Sequence, residues 1–227
     1  MPNMSSRRGA EMARPFWKDR TGSVALEFVL TVPLMIFTML GLYQVWFLAT
    51  ANRQIETVAD SIAQMLTQNT TGSVSDVDLG FVASSAMVLF PTVLTDASKQ
   101  NVAWSSIIKI TISSVVFVAQ SNGSYLAQVA WSRGPNKRPC GSNLSAQSDA
   151  DPPSPTALPQ DLFGSGSLIV VDVSYDYKPQ FLSDWFASSY GFSKSAYLQP
   201  RYITSPDYIQ HSNSNADGAA TVCTGYL

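Results

Sequence analysis

From Val24 to Ala49 the chain runs for 26 residues with a single charged side chain, Glu27. As an α-helix rising 1.5 Å per residue, that segment reaches about 39 Å, enough to cross a hydrocarbon core of about 30 Å with some tilt. A carboxylate inside such a segment costs roughly 2.5–3.5 kcal/mol at mid-bilayer and less near an interface. Glu27 lies in the first turn of the apolar run, five positions after Gly22. A residue retained at that cost points to a role. Pro33 lies further along the run and locally removes a helix hydrogen bond, which predicts a kink or a loosened turn.

The flanks orient the span. Residues 1–22 carry Arg7, Arg8, Arg14, Lys18 and Arg20 against Glu11 and Asp19. The excess of basic groups before the run predicts a cytoplasmic N-terminus, with the C-terminal part across the membrane. The apolar stretch is too long for an ordinary signal peptide, and no A-x-A-like site ends it.

The rest of the chain reads as one α+β domain. Val45, Leu48, Ala49, Ile55, Val58, Ala59, Ile62, Ala63 and Leu66 recur at spacings of three and four, so the helix continues as an amphipathic stretch to about Gln68. Asn69–Ser73 breaks it. A second helix is expected over 77–89, with Ser75 or Asp76 as N-cap and Pro91 as its end. Residues 107–119 read as a strand, Ser121-Asn122-Gly123-Ser124 as a hairpin turn, and 125–131 as the returning strand. Strict alternation would put Tyr125, Ala127, Val129 and Trp131 on one side, with Leu126, Gln128 and Ala130 on the other. Strands at 168–177 and 194–203 complete a small antiparallel sheet on which the long helix lays its apolar stripe. The Pro-rich segment 133–166 shows no periodicity and reads as a long loop.

Charged residues make up only 13% of the chain and the net charge is −2, so no basic surface for nucleic acid is implied. There are two cysteines, Cys140 and Cys223. In an exported domain they favour a disulfide over two separate thiols. Such a bridge would restrict the unfolded chain by on the order of 4 kcal/mol in the loop-entropy picture. No C-x-x-C occurs, and the one histidine, His211, sits in a polar tail and reads as a surface residue. Gly164-Ser165-Gly166 precedes a strand and lacks the third glycine of a dinucleotide loop. No G-x-S-x-G motif or P-loop lysine is found. Asp149 and Asp151 read as solvated loop carboxylates. No catalytic residues, cofactor or metal are therefore expected, and the chain reads as a non-enzyme. The aromatics Tyr175, Tyr177, Trp185, Phe186, Tyr190, Phe192 and Tyr197 are dense enough for a binding face, though core packing accounts for them equally well.

The N-terminal residues also resemble a known family. A basic leader, Gly22, Glu27-Phe28 five and six places later, and an apolar helix with Pro33 look like a type IV prepilin processing site. The stretch from Phe16 to Pro33, with Gly22-Ser23-Val24-Ala25 and the Glu27-Phe28 pair, is similar to the TadE-like proteins, minor pilins (pseudopilins) of tight-adherence pili. Residues 171–179, Val-Asp-Val-Ser-Tyr-Asp-Tyr-Lys-Pro, and 194–201, Lys-Ser-Ala-Tyr-Leu-Gln-Pro-Arg, resemble two strands of that family. The resemblance implies a pilin-like α+β fold. It also implies cleavage between Gly22 and Ser23 by a prepilin peptidase, with Glu27 as fifth residue of the mature chain, paired with a neighbour's N-terminal amine. The implied partners are other pilin subunits, the pilus assembly machinery and membrane lipid. The implied place is the bacterial inner membrane or a surface pilus used in adhesion. An uncleaved, membrane-tethered adhesion module of the TadG-like kind is the alternative. The resulting layout is a leader at 1–22, a span at 23–49, a helix extension at 50–72 and an extracytoplasmic domain at 73–227.

Overall fold

The computed structural model describes residues 21–149, 151–178, 189–203, 207–212 and 219–226, with side chains from Val24 onward. Helix α1 runs from Thr21 to Thr67 with Pro33 inside it. The chain divides into two compact units, Met1–Leu48 and Ala49–Leu227.

In the first unit α1 is apolar all round. Large apolar side chains from Val24 to Trp46 stand in the open, among them Phe28 at 68% and Met39 at 75% exposure. In the second unit the helix becomes one-sided. Ala51, Ile55, Val58, Ala59, Ile62, Ala63 and Leu66 are buried, at the three- and four-residue spacing of a single stripe.

After α1 come the short strand β1 (Ser73–Ser75) and helices α2 (Asp76–Ser84), α3 (Ala86–Leu89), α4 (Thr92–Gln100) and α5 (Trp104–Ile107). Ser75 caps α2 in a reciprocal box. The Asp78 amide donates to Ser75 Oγ at 3.2 Å, and the Ser75 amide donates to Asp78 Oδ2 at 3.0 Å. These two bonds satisfy donors that a helix start leaves orphaned. The expected second helix thus breaks at Ser85, and Pro91, read as its end, also precedes α4. Proline has no amide proton to lose at a helix start.

The main sheet has seven strands, β2 (Ile108–Ala119), β3 (Tyr125–Arg133), β4 (Asn143–Gln147), β5 (Ala157–Pro159), β6 (Gly166–Tyr177), β7 (Tyr190–Leu198) and β9 (Ala220–Val222), in the order β5-β4-β3-β2-β6-β7 with β9 on β3. Its pairings are antiparallel except β4 with β5, so the sheet is larger than the sequence suggests and mixed. A separate parallel pair joins β1 to β8 (Gln210–Ser212).

Ladder partners share a face, so the register sorts the side chains. Ile110 and Ile112 of β2 stand beside Val173 and Val171 of β6, on the face that α5 approaches. Phe90 and Tyr175 meet there edge-on, with ring centres 5.1 Å apart. The Tyr175 hydroxyl donates to Asp96 Oδ2 at 2.5 Å. Burial first, and then that carboxylate, push the phenol well above its ordinary range, so it stays a donor. The opposite face carries Val115, Phe117, Ala127, Val129, Leu168 and Val170, closed over by Leu144, Leu158 and Cys223.

Trp131 departs from strict alternation. A bulge shifts the register between Ser114 and Val115, so that Ser114 pairs with Trp131 and Val115 with Val129. The extra residue rotates Trp131 to the face opposite Val129. There its indole donates to the Ile209 carbonyl at 2.7 Å.

The Pro-rich segment is also not a structureless loop. It holds β4, β5 and a short 3₁₀ turn at Gln160–Leu162. Gly134 opens it with φ at +135°, and a Cβ there would lie 2.5 Å from the Ile110 carbonyl, so only glycine fits.

Candidate functional site

Two regions carry the residues singled out from sequence, and each lies within one unit. The first is the N-terminal half of α1. The Gly22–Ser23 peptide lies at the start of the described part of α1. The Glu27 and Phe28 side chains are exposed, and the Glu27 carboxylate has no partner among the described residues. Thr31 Oγ1 donates back to the Glu27 carbonyl at 2.9 Å and contacts the Phe28 carbonyl at 3.3 Å. Two residues further on, Pro33 has no amide to offer the carbonyl one turn before it. This turn of helix therefore holds a lone carboxylate, a hydroxyl folded onto the backbone and a missing backbone bond, all within an apolar surface. An exposed apolar surface of this kind marks an interaction or membrane site.

The second region is the Pro-rich segment and what fastens it. Cys140 and Cys223 form a disulfide, Cα to Cα 5.2 Å, across a sequence separation of 83. A second fastening was not legible in the sequence. Arg138 is fully enclosed, and one of its terminal nitrogens donates to both carboxylate oxygens of Asp172, at 3.0 and 2.9 Å. Its other terminal nitrogen donates to the Ser154 and Ala157 carbonyls at 3.0 and 3.2 Å. Ser195 Oγ donates to the same Asp172. Asp172 and Ser195 are ladder partners on β6 and β7. The two downstream stretches that resemble family strands are therefore neighbours, and their polar pair anchors the excursion.

His211 is not a surface residue. It lies on β8, 6% exposed, with Nε2 3.4 Å from Asp76 Oδ1 and its ring against Trp131. Pairing of β8 with β1 draws it in, and nothing near it in sequence signals that partner. Arg133 Nε approaches the same Asp76 oxygen at 3.4 Å. Of the aromatic cluster, Tyr175 and Tyr177 are core residues, while Tyr190, Phe192 and Tyr197 are half-buried. Trp185 and Phe186 lie outside the described residues. Asp149 and Asp151 are exposed. Among the described residues no cluster of His, Cys, Asp and Glu has the makings of a metal site.

Fold and N-terminal segment together define a class. This is an α+β protein whose long N-terminal apolar helix, with mean hydropathy 2.0 and none of its apolar window buried, is consistent with a single-pass membrane anchor. The family model of the TadE-like proteins matches residues 22–64. That stretch contains Gly22, Glu27, Phe28, Pro33 and the buried stripe through Ala63, so the chain carries a TadE-like segment. No curated protein and no solved structure matches it.

Proposed function

We propose that the chain is a minor pilin of a tight-adherence-type pilus, made as a membrane-inserted precursor, and that it is not an enzyme. The observation that carries this reading is the TadE-like match over residues 22–64, which spans the whole intramembrane constellation. The basic leader stays in the cytoplasm and the α+β domain faces the periplasm or the exterior. A prepilin peptidase of the inner membrane cuts between Gly22 and Ser23, where a glycine without a side chain gives a membrane protease close access to the backbone. Ser23 then carries a free amine. Glu27, without a partner among the described residues, pairs with that amine on a neighbouring subunit. In low dielectric the pair relieves two charges that are each costly alone. The apolar helices bundle with other pilin subunits or prime their assembly, and the domain contributes to surface adhesion.

Glu27 separates anchoring from assembly. Glu27→Leu removes a charge that opposes insertion, so membrane levels should hold or rise. Surface pilus yield should fall sharply, and Glu27→Gln, which keeps the shape, should share the defect. Normal piliation by Glu27→Leu at equal membrane levels would contradict the pairing. A finding that the Gly22–Ser23 bond stays intact would instead make the chain a membrane-tethered adhesion module.

A further inference from the structure

Beside the disulfide lies a cavity of about 240 Å³. Roughly 10–15 Å³ of such space holds one water, so there is room for a small ligand. Its polar lining comes from Gln128, Ser142, Asn143, Thr224 and Tyr226. None of these carries charge at neutral pH. Burial raises the Tyr226 phenol further, which keeps it a neutral donor.

The groups are held in a relay. The Tyr226 hydroxyl donates to Gln128 Oε1 at 2.8 Å, and Gln128 Nε2 donates to Asn143 Oδ1 at 3.1 Å. That leaves the Asn143 amide nitrogen, the second Gln128 hydrogen and a phenol lone pair for a guest. The Tyr226 ring is braced edge-on by Tyr208, with centroids 5.4 Å apart. The walls are pinned as well. Gly141 follows one half-cystine and Cys223 is the other, while the Cys223 amide donates to the Ala130 carbonyl at 2.8 Å. Side chains fixed before binding lose little entropy on binding.

An anion would call for arginine or lysine, and an apolar ligand for a greasier lining. Two planar amides, two small hydroxyls and a braced aromatic ring without charge match a compact molecule that presents neighbouring neutral hydroxyls. We propose that this cavity is a binding site for a neutral saccharide unit. It goes beyond the pilin reading and does not depend on it, because binding is read on the isolated protein.

The test is saturation-transfer NMR and calorimetry on the full chain in lipid nanodiscs. The probes are the methyl glycosides of glucose, galactose, mannose and N-acetylglucosamine, with galacturonate as an acidic counterpart of galactose. At least one neutral glycoside should bind saturably. Tyr226→Ala and Asn143→Ala should each weaken it by about tenfold or more. Asn143 is exposed, so its variant should keep the wild-type melting temperature and an oxidised disulfide. The proposal is overturned by no saturable binding of any neutral glycoside, by affinity that neither substitution changes, or by tighter binding of galacturonate than of the galactoside.

Discussion

Arg138 shows what a single residue decides here. Its guanidinium is enclosed, with Asp172 as counter-ion and two carbonyls of the Pro-rich segment as further acceptors. Ser132 Oγ accepts from its backbone amide at 3.0 Å. Truncating one member of such a pair strands the other charge, at a cost of about 3 kcal/mol or more. Arg138→Met should therefore lower the unfolding free energy by about that amount in denaturant titration. Replacing both partners, Arg138→Met with Asp172→Leu, should recover part of it. Equal stability of wild type and Arg138→Met would show that the pair does not hold the excursion down. Glu27 is the contrasting case, a charge without a partner among the described residues, and under the proposed pairing its removal should disturb assembly and leave folding intact.

At the scale of elements, α1 works in two environments. Ile62 is completely buried while Leu34 is 65% exposed. Ile62→Ala should cost about 2–5 kcal/mol in domain stability, whereas Leu34→Ala should leave it unchanged. A comparable loss for both in thermal melts would refute the division of the helix into a packed and an unpacked part.

The start of α2 gives a pH-dependent counterpart. Hydrogen bonds from the Ser75 side chain and backbone hold the Asp78 carboxyl below its ordinary value. A folded value below the unfolded one stabilises the fold above the ordinary aspartate range, and the contribution is lost as pH falls through the folded value. Ser75→Ala should lower stability by about 1 kcal/mol at neutral pH, and the gap between variant and wild type should shrink in acid. An equal gap at neutral pH and in strong acid would assign the loss to something other than the capping box.

These elements also show what local pattern could and could not reveal. The stripe of α1, the Ser75 cap, the hairpin at 121–124 and strands β2, β3 and β6 are written in nearest-neighbour chemistry, and the sequence reading finds them. The β4–β5 pair, the burial of His211 and the enclosure of Arg138 depend on partners dozens of residues away. The Pro-rich composition hides two strands because each is too short for a period to register, and prolines at their flanks resemble loop punctuation. The bulge at Ala130 leaves the strand's composition untouched and reverses only the face on which Trp131 lies.

For the molecule as a whole, the two units differ in what their apolar side chains meet. Residues 24–48 expose apolar surface consistent with a single-pass membrane anchor. Residues 49–227 bury their core on both sheet faces and fasten their longest excursion by one disulfide and one enclosed ion pair. The TadE-like match reaches across that boundary, from the first turn of α1 into the buried stripe. The central claim, that this is a processed pilin subunit, is tested most directly by the intact mass of the protein extracted from its native membrane, with Gly22→Val beside it. The account predicts a wild-type mass that begins at Ser23 and a variant that keeps residues 1–22. A wild-type protein that retains the leader, or one identical mature mass in both, would contradict it.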